Sequence, residues 1–180
     1  MSIAQGLLAE FDAEFANTRR TLDRIPENKL DWTPDPKSMS LGRLATHIAE
    51  MTGWAALTMN SDELDFAKNA YQPVLAQSRE HLLRIADENA TSARAAIAGA
   101  TDADFMKTWT LRAGDQIFFT MPKIAVIRSM VMNHIIHHRG QLTVYYRMNG
   151  VPVPALYGPS ADEPVFNTSA PTSAAAGANG

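Results

Sequence analysis

Apolar residues recur along the first part of the chain at steps of three, four and seven residues, which is the pattern of an amphipathic helix. The stripe consists of Leu8, Phe11, Phe15, Leu22 and Ile25. Ser2 is a suitable N-cap for this helix, because its side-chain oxygen can accept a hydrogen bond from a backbone N–H of the first turn. Pro26 cannot continue a helix, so the first predicted helix ends there.

Prolines and then a second apolar stripe define the next part of the chain. A regular helix is excluded by the three prolines Pro26, Pro34 and Pro36. We therefore expect a loop here, which Trp32 anchors to the core. A second helix is predicted over about residues 41–60. Its main face carries Leu44, Ile48, Met51 and Ala55, and its edge carries His47 and Trp54.

The second half of the chain predicts two more helices with a different element between them. Alanines and charged pairs four residues apart favour a third helix over about residues 74–98. Aromatic and apolar residues on both sides of Gly114 predict a short hairpin or an irregular excursion within residues 107–121. Pro122 suits the first turn of a fourth helix, for which Gly150 is a suitable end.

This order of elements predicts an all-α fold, a four-helix bundle with a short hairpin or irregular excursion between helices three and four. The 180 residues contain no internal repeat and fit one domain, which we expect to span residues 1–166. Residues 167–180 are a low-complexity tail, too poor in large apolar side chains to form a core.

Composition and charge narrow the class of protein. Apolar residues make up 46% of the chain and charged residues 19%, which is typical of a globular protein. No run approaches the ~20 apolar residues that span a bilayer, and the N-terminus does not resemble a secretory signal. The net charge is −3, without a basic run that could follow a phosphate backbone. We therefore expect a cytoplasmic protein without a membrane or nucleic-acid partner.

Histidine carries the candidate chemistry, because the chain has no cysteine and cannot use a thiolate as metal ligand or nucleophile. A helical wheel places a group of fourth-helix residues in one sector, near the middle of the predicted buried stripe. The group is Ile127, Val131, His134, His138, Gln141 and Tyr145. The spacing of His134 and His138 lets both rings converge on one metal ion at the ~2.0–2.1 Å expected for Zn–N bonds.

A third ligand must come from another helix, and His47 is the histidine that the burial pattern favours. Pattern alone leaves an ordinary core or surface arrangement of these histidines equally open. His137 is rotated by about 100° from His138, so we expect it beside the site or at the surface. His81 is predicted to lie on a solvated face.

The other polar and aromatic residues near these histidines are predicted to lie in the core or on the solvated surface, without a part in the chemistry. Glu50 follows His47 by three residues and could orient it or a water molecule, although an exposed helix residue is the favoured interpretation. The face opposite the histidines is predicted to be solvated and contains Arg128, Arg139, Thr143 and Arg147. Core packing is preferred over substrate contact for Met51, Trp54, Met130 and Tyr145.

Three segments of the sequence resemble the DinB family. Residues 36–49, PKSMSLGRLATHIA, resemble the start of its second helix. Residues 134–142, HIIHHRGQL, are similar to its fourth-helix signature, and residues 153–160, VPALYGPS, resemble its usual ending. The segments occur in the family's order and spacing, whereas the chain after about Glu163 departs from the pattern.

The resemblance implies an up-down-down-up four-helix bundle, commonly dimeric. It also implies one divalent transition metal bound by His47, His134 and His138, with zinc or nickel first and iron or manganese also compatible. Three protein ligands leave coordination positions open, as in catalytic metal sites. The implied partners are a small-molecule substrate or thiol and a second copy of the chain, whose interface would cover Trp54 and Leu57.

Three functions remain open at this point, and no catalytic side chain is assigned. The first is a metal-dependent transferase that uses a low-molecular-weight thiol, since the wider superfamily resembled here includes enzymes that use mycothiol or bacillithiol. The second is a non-enzymatic metal-binding or stress-response protein. The third, a metal-dependent hydrolase, requires a general base that the sequence does not indicate.

Overall fold

Helices and a small sheet alternate along the chain in the computed structural model, which describes residues 2–68 and 72–164. The α-helices are α1 (Ile3–Leu22), α2 (Leu41–Thr52), α3 (Trp54–Asn60), α4 (Arg79–Ala98), α5 (Asp102–Met106), α6 (Lys123–Val126) and α7 (His134–Met148). The strands are β1 (Glu63–Asp65), β2 (Thr108–Ala113) and β3 (Gln116–Pro122). A 3-10 turn spans Glu27–Lys29, and a π-helical segment spans Ile127–Asn133.

The long helices pack around a shared apolar core. Helix α4 packs on α1 and α2, and α7 packs on the same two helices. The predicted all-α class is too narrow, because a three-stranded sheet accompanies the helices. A mostly helical fold is confirmed, whereas the up-down-down-up bundle stays a prediction.

Helix α1 begins where the sequence predicts and ends about one turn before the predicted end at Pro26. The Ser2 hydroxyl accepts a hydrogen bond from the Gln5 backbone N–H, and the Gln5 side chain accepts one from the Ser2 backbone N–H. This capping box satisfies two backbone donors of the first turn. The helix ends at Leu22, ahead of Pro26, and the following Ile25 is buried in the core.

The second predicted helix is divided into α2 and α3 at Gly53. A Cβ atom at Gly53 would lie 2.6 Å from the Asn89 side-chain oxygen, so any larger residue would clash with α4. The Asn89 amide also donates a hydrogen bond to the Ala49 carbonyl near the end of α2. The predicted third helix begins later than expected, at Arg79, because the Ser78 side chain caps it there.

The excursion predicted between the third and fourth helices is a β-hairpin. Strands β2 and β3 pair antiparallel, and Gly114 in the turn has a φ of 60°, which favours glycine. Strand β1 pairs parallel with β2 and was not predicted, since three residues are too few to show a periodic pattern. This sheet packs beside α3 and α6 and forms one wall of the site described below.

The fourth predicted helix consists of three consecutive parts. Strand β3 extends to Pro122, α6 and the π-helical segment follow, and α7 begins at His134. A π-helical turn contains more residues than an α-helical turn, so the residues after this segment are rotated about the helix axis relative to a continuous α-helix. The buried stripe of α7 is therefore displaced by one residue from the predicted one, and it consists of Ile135, Arg139, Leu142 and Tyr146. The helix ends at Asn149 and Gly150, as predicted.

None of the helices in residues 2–68 and 72–164 combines the length and the apolar character that crossing a bilayer requires. The predicted limit of the domain at residue 166 stays a prediction, and the predicted tail, 167–180, lies outside the described residues.

Candidate metal centre

Three histidines from two helices meet at one point of the fold. His47 comes from α2, whereas His134 and His138 come from the first turns of α7. One ring nitrogen from each lies within 4.8 Å of the other two, so the three side chains are close enough to hold a metal ion. The helix spacing brings the pair together, and the packing of α7 on α2 brings His47 to them.

Hydrogen-bond acceptors lie beside the Nδ1 atoms of both α7 histidines. The Nδ1 atom of His138 lies 2.7 Å from the Gln141 side-chain oxygen, and that of His134 lies 3.3 Å from the Met130 carbonyl oxygen. The tautomer that satisfies both contacts has the proton of each ring on Nδ1. In that tautomer the lone pair of each imidazole is on Nε2.

The two Nε2 atoms face each other at a distance of 2.9 Å. In the metal-free protein, a proton on one Nε2 would join the two atoms in a hydrogen bond, whereas two bare lone pairs at this separation need a cation against both. Two nitrogens bound to one ion at ~2.0–2.1 Å, with an angle of about 90–110° between the bonds, lie about 2.9–3.4 Å apart. The observed distance therefore fits two ligands of the same ion.

His47 completes the centre from the opposite side. Its side chain is 8% exposed, and its Nδ1 is a buried polar atom without a hydrogen-bond partner among the described residues. Its ring lies 5.5 Å from the His134 ring and 5.1 Å from the His138 ring, measured between centroids. A buried nitrogen without a partner is destabilising in the metal-free protein, and a bound ion is one way to relieve that cost.

Burial keeps all three imidazoles neutral at physiological pH. It is the main cause that lowers the pKa of His47 to about 4, and the nearby His138 lowers it further. Burial also lowers the pKa of His134 and of His138. A metal must displace a proton from a charged imidazole but not from a neutral one, so the centre is ready to bind a cation near pH 7.

Several residues around the centre differ from their predicted roles. Glu50 is not an exposed helix residue: its side chain is 12% exposed, 2.9 Å from Arg43 Nη1, and accepts a hydrogen bond from the Val74 backbone N–H. His134 and His138 are both half-buried, which shows that the pair lies on the flank of the buried stripe and not in its middle. His137 is at the surface beside His138, in agreement with the prediction.

The largest correction concerns Arg139, which the sequence predicted on a solvated face. Its side chain is 1% exposed and lies 2.6 Å from the Glu14 carboxylate of α1. It also donates to the Glu14 carbonyl and to the Thr18 hydroxyl, and the Tyr157 hydroxyl contacts the same cluster. A charge on a predicted outer face gives no sequence signal of burial, because its partner lies 125 residues away.

A pocket of about 510 Å³ opens beside the histidines. His47 and His134 line one end of it, and α3 and the sheet supply most of the remaining wall. Trp54 lies next to both ligands, with ring-centroid distances of 5.7 Å to His47 and 5.9 Å to His134. Trp54 and Met130, expected to be plain core, line this pocket, and so does Leu57. The pocket could not be predicted from the sequence, because its walls come from distant segments.

Sequence comparison identifies the family. The profile described as the DinB family matches residues 1–169 of this chain. The chain belongs to the DinB family. A family relative, the uncharacterized protein YrdA of Bacillus subtilis (strain 168), is 30% identical over 159 residues, which cover 86% of this chain and 86% of YrdA.

Crystal structures of other DinB-like proteins share the fold. One from Bacillus cereus ATCC 10987 has a TM-score of 0.68 at 24% identity, covering 87% of this chain and 98% of that protein. Another, YjoA from Bacillus subtilis, has a TM-score of 0.65 at 18% identity, covering 89% of this chain and 99% of that protein. At these identities the similarity extends to the fold and not to the activity.

Proposed function

We propose that this DinB protein binds one divalent transition metal through His47, His134 and His138 and acts as a metal-dependent transferase that uses a low-molecular-weight thiol. The observation that carries the proposal is the convergence of three imidazoles, with the Nε2 atoms of His134 and His138 2.9 Å apart beside the buried His47. Zinc or nickel is the preferred ion, since neutral imidazoles suit both, and iron or manganese is compatible.

The metal would supply a Lewis acid that lowers the pKa of a thiol, so that the sulfur attacks as a thiolate at neutral pH. In the overall reaction the sulfur forms a bond to an electrophilic carbon. The leaving group departs from that carbon with its electron pair, and the thiol proton passes to solvent. His47 and His134 hold the reacting end of the pocket, and the apolar wall excludes water from it.

The same wall argues against a hydrolase. A hydrolase needs a general base within reach of the attacking water. No aspartate or glutamate within residues 2–68 and 72–164 lines the pocket, and Glu50 already interacts with Arg43 and the Val74 backbone. A metal ion lowers the pKa of bound water as well as that of a thiol, so our preference for the transferase rests on the family resemblance, whose wider superfamily includes thiol-dependent enzymes.

Metal content and turnover together test the proposal. The protein, purified without a metal-binding tag, should contain about one transition-metal ion per chain. Bacillithiol, mycothiol and glutathione are then offered with electrophilic substrates, before and after removal of the metal by a chelator. Turnover that depends on both metal and thiol is expected. Metal binding without turnover would favour the non-enzymatic metal-binding alternative, and absence of metal uptake would refute both.

We also propose that the protein is a two-fold homodimer in the cytoplasm. Leu57 is 39% exposed at the mouth of the pocket, and Phe118 of the sheet is 50% exposed, so apolar surface is available for a partner copy. Light scattering should give about twice the chain mass. A mass near the single-chain value of 19.7 kDa at micromolar concentration would contradict the dimer.

A further inference from the structure

The walls of the pocket are almost entirely hydrocarbon. Its sides are formed by aromatic and branched side chains, including Trp54, Leu64, Phe66, Trp109 and Phe119. No lysine, arginine, aspartate or glutamate among the described residues lines it. A pocket of about 510 Å³ is within the range that holds small organic ligands.

Polar atoms in the wall are already engaged elsewhere. The Trp109 indole N–H donates to the Ser61 hydroxyl at 3.1 Å, so the carbon surface of the ring is available to the pocket. The Thr58 hydroxyl donates to the Trp54 carbonyl at 2.8 Å within α3. Among the described residues of this wall, a ligand can therefore use the two metal-centre histidines, the Gln72 amide and the Thr58 oxygen, which can still accept a hydrogen bond.

The apolar lining of the pocket disfavours charged ligands. An ionised group that enters the apolar part of the pocket loses its hydration, and no charged side chain in the described wall would compensate for the loss; an anion would be stabilised only at the histidine end, by the proposed metal ion. Aromatic rings are favoured, because the Trp109 and Phe119 rings, 6.1 Å apart between centroids, and Trp54 offer faces and edges for ring contacts.

We infer that the co-substrate of this centre is a small, uncharged aromatic electrophile that lies in the apolar pocket with its reactive carbon toward His47 and His134. The role as a co-substrate rests on the proposed thiol transfer. Binding in the pocket does not depend on that function and can be measured separately. The thiol would approach from the side of the histidines that is not filled by the aromatic ring.

Two ligands of similar size and different charge test the inference. We would use calorimetry to titrate the purified protein, in the absence of thiol, with 1-chloro-2,4-dinitrobenzene and with 4-chloro-3-nitrobenzenesulfonate. Because a bound cation would attract the sulfonate, the titration is repeated after removal of the metal by a chelator, so that the two affinities report on the pocket and not on the ion. The neutral compound is expected to bind at least about tenfold more tightly. Equal affinities, or tighter binding of the sulfonate, would overturn the inference.

A positive charge added at the mouth of the pocket should reduce the preference for the neutral compound over the sulfonate. Phe66→Arg is suitable because Phe66 is 42% exposed and lines the pocket, whereas a charge at Leu57 would also disturb the proposed dimer. Phe66→Arg should strengthen sulfonate binding by at least about tenfold relative to the neutral compound. Val144→Arg is the matched control, at a residue of α7 that is 58% exposed and does not line the pocket, and it should leave the ratio unchanged. An equal change in both variants would overturn the inference.

Metal analysis of the same samples separates this inference from the proposed function. A preference for the neutral compound in protein that takes up no metal would support the pocket assignment and refute the metal-dependent transferase. Metal uptake with no preference between the two compounds would refute the pocket assignment and leave the metal centre intact.

Discussion

Two polar clusters lie on neighbouring faces of α7 and differ in how their charges and lone pairs are satisfied. Arg139 is fully buried, and its guanidinium is matched by the carboxylate and carbonyl of Glu14 and by the Thr18 hydroxyl. The adjacent His138 faces another Nε2 atom and a third imidazole. The first cluster is satisfied within the chain, whereas the second leaves the buried His47 Nδ1 without a hydrogen-bond partner among the described residues.

This difference separates a structural polar cluster from a binding site. Buried polar groups are normally paired, and a group that is left unsatisfied indicates either strain or a missing ligand. Arg139 and His138 are consecutive residues of the same helix, so their local environments in sequence are nearly identical. Only the partners that other helices bring to each face distinguish their roles.

Removal of one ligand is the strongest test of the histidine cluster. His138→Ala should weaken metal binding by about 10²–10³-fold, because transition-metal sites gain roughly 3–4 kcal/mol per protein ligand. Competition with a chromophoric chelator measures the change. His81→Ala is the control: His81 is outside the three-histidine group and should keep full affinity. Equal losses in both variants would mean that the ligands have been assigned to the wrong histidines.

Removal of the cation from the arginine cluster should affect stability and not metal affinity. Arg139→Met leaves the Glu14 carboxylate, which is 17% exposed, without its ion-pair partner. We expect a loss of about 3 kcal/mol in the free energy of unfolding, near the low end for a buried pair.

Urea unfolding provides the measurement for the arginine cluster. Arg147→Met is the matched control, because Arg147 of the same helix forms a surface ion pair with Asp162 and should contribute less than about 1 kcal/mol. If the Arg139 variant were as stable as this control, the buried cluster would not be structural.

The hydrogen bond behind His138 should have a smaller effect on metal affinity. Gln141→Leu removes the acceptor that holds the His138 Nδ1 proton, and loss of such a supporting partner typically costs about 10–100-fold in metal affinity. Gln141→Glu still offers an oxygen acceptor and should retain most of the affinity. If the leucine variant bound metal as well as the native protein, Gln141 would have no role in orienting the ligand.

Acid should destabilise the metal-free protein through His47. Its pKa in the folded chain is about 4, below the ordinary value of 6.5, so between these values the unfolded chain binds a proton that the folded chain does not. The contribution of His47 to the free energy of unfolding is therefore fully present above about pH 6.5 and is lost as the pH falls toward 4.

The expected loss between pH 7 and pH 5 is about 1–2 kcal/mol, measured as a lower urea midpoint. His47→Gln should show a smaller pH dependence, since glutamine does not titrate. A variant that lost as much stability on acidification as the native protein would show that other groups cause the change.

The sequence predicted the histidines better than it predicted their surroundings. His134 and His138 are four residues apart, and the local geometry of a helix alone brings such a pair together. His47 followed from its burial pattern and from the family resemblance. The buried stripe of α7 was predicted one residue out of place, because a wheel continued from Ile127 cannot account for π-helical turns and because Arg139 occupies a position that normally holds an apolar residue.

Features that depend on contacts between distant segments could not be predicted. The Asn89 side chain of α4 lies against Gly53, where α2 and α3 meet, and strand β1 is defined by its pairing with β2. Glu50 is shielded by Arg43 and by the backbone at Val74, which follows it by 24 residues. In each case the sequence contains the residue but not its partner.

The position of Trp54 gives the protein a built-in optical reporter. Its indole lies within 6 Å of two of the three histidine rings, so an ion bound there would be almost in contact with the chromophore. Nickel or iron would be expected to quench its emission, whereas diamagnetic zinc would chiefly shift it. The identity of the resident metal would thus be reflected in the native fluorescence, and Trp54→Phe would reveal how much of that signal comes from this indole.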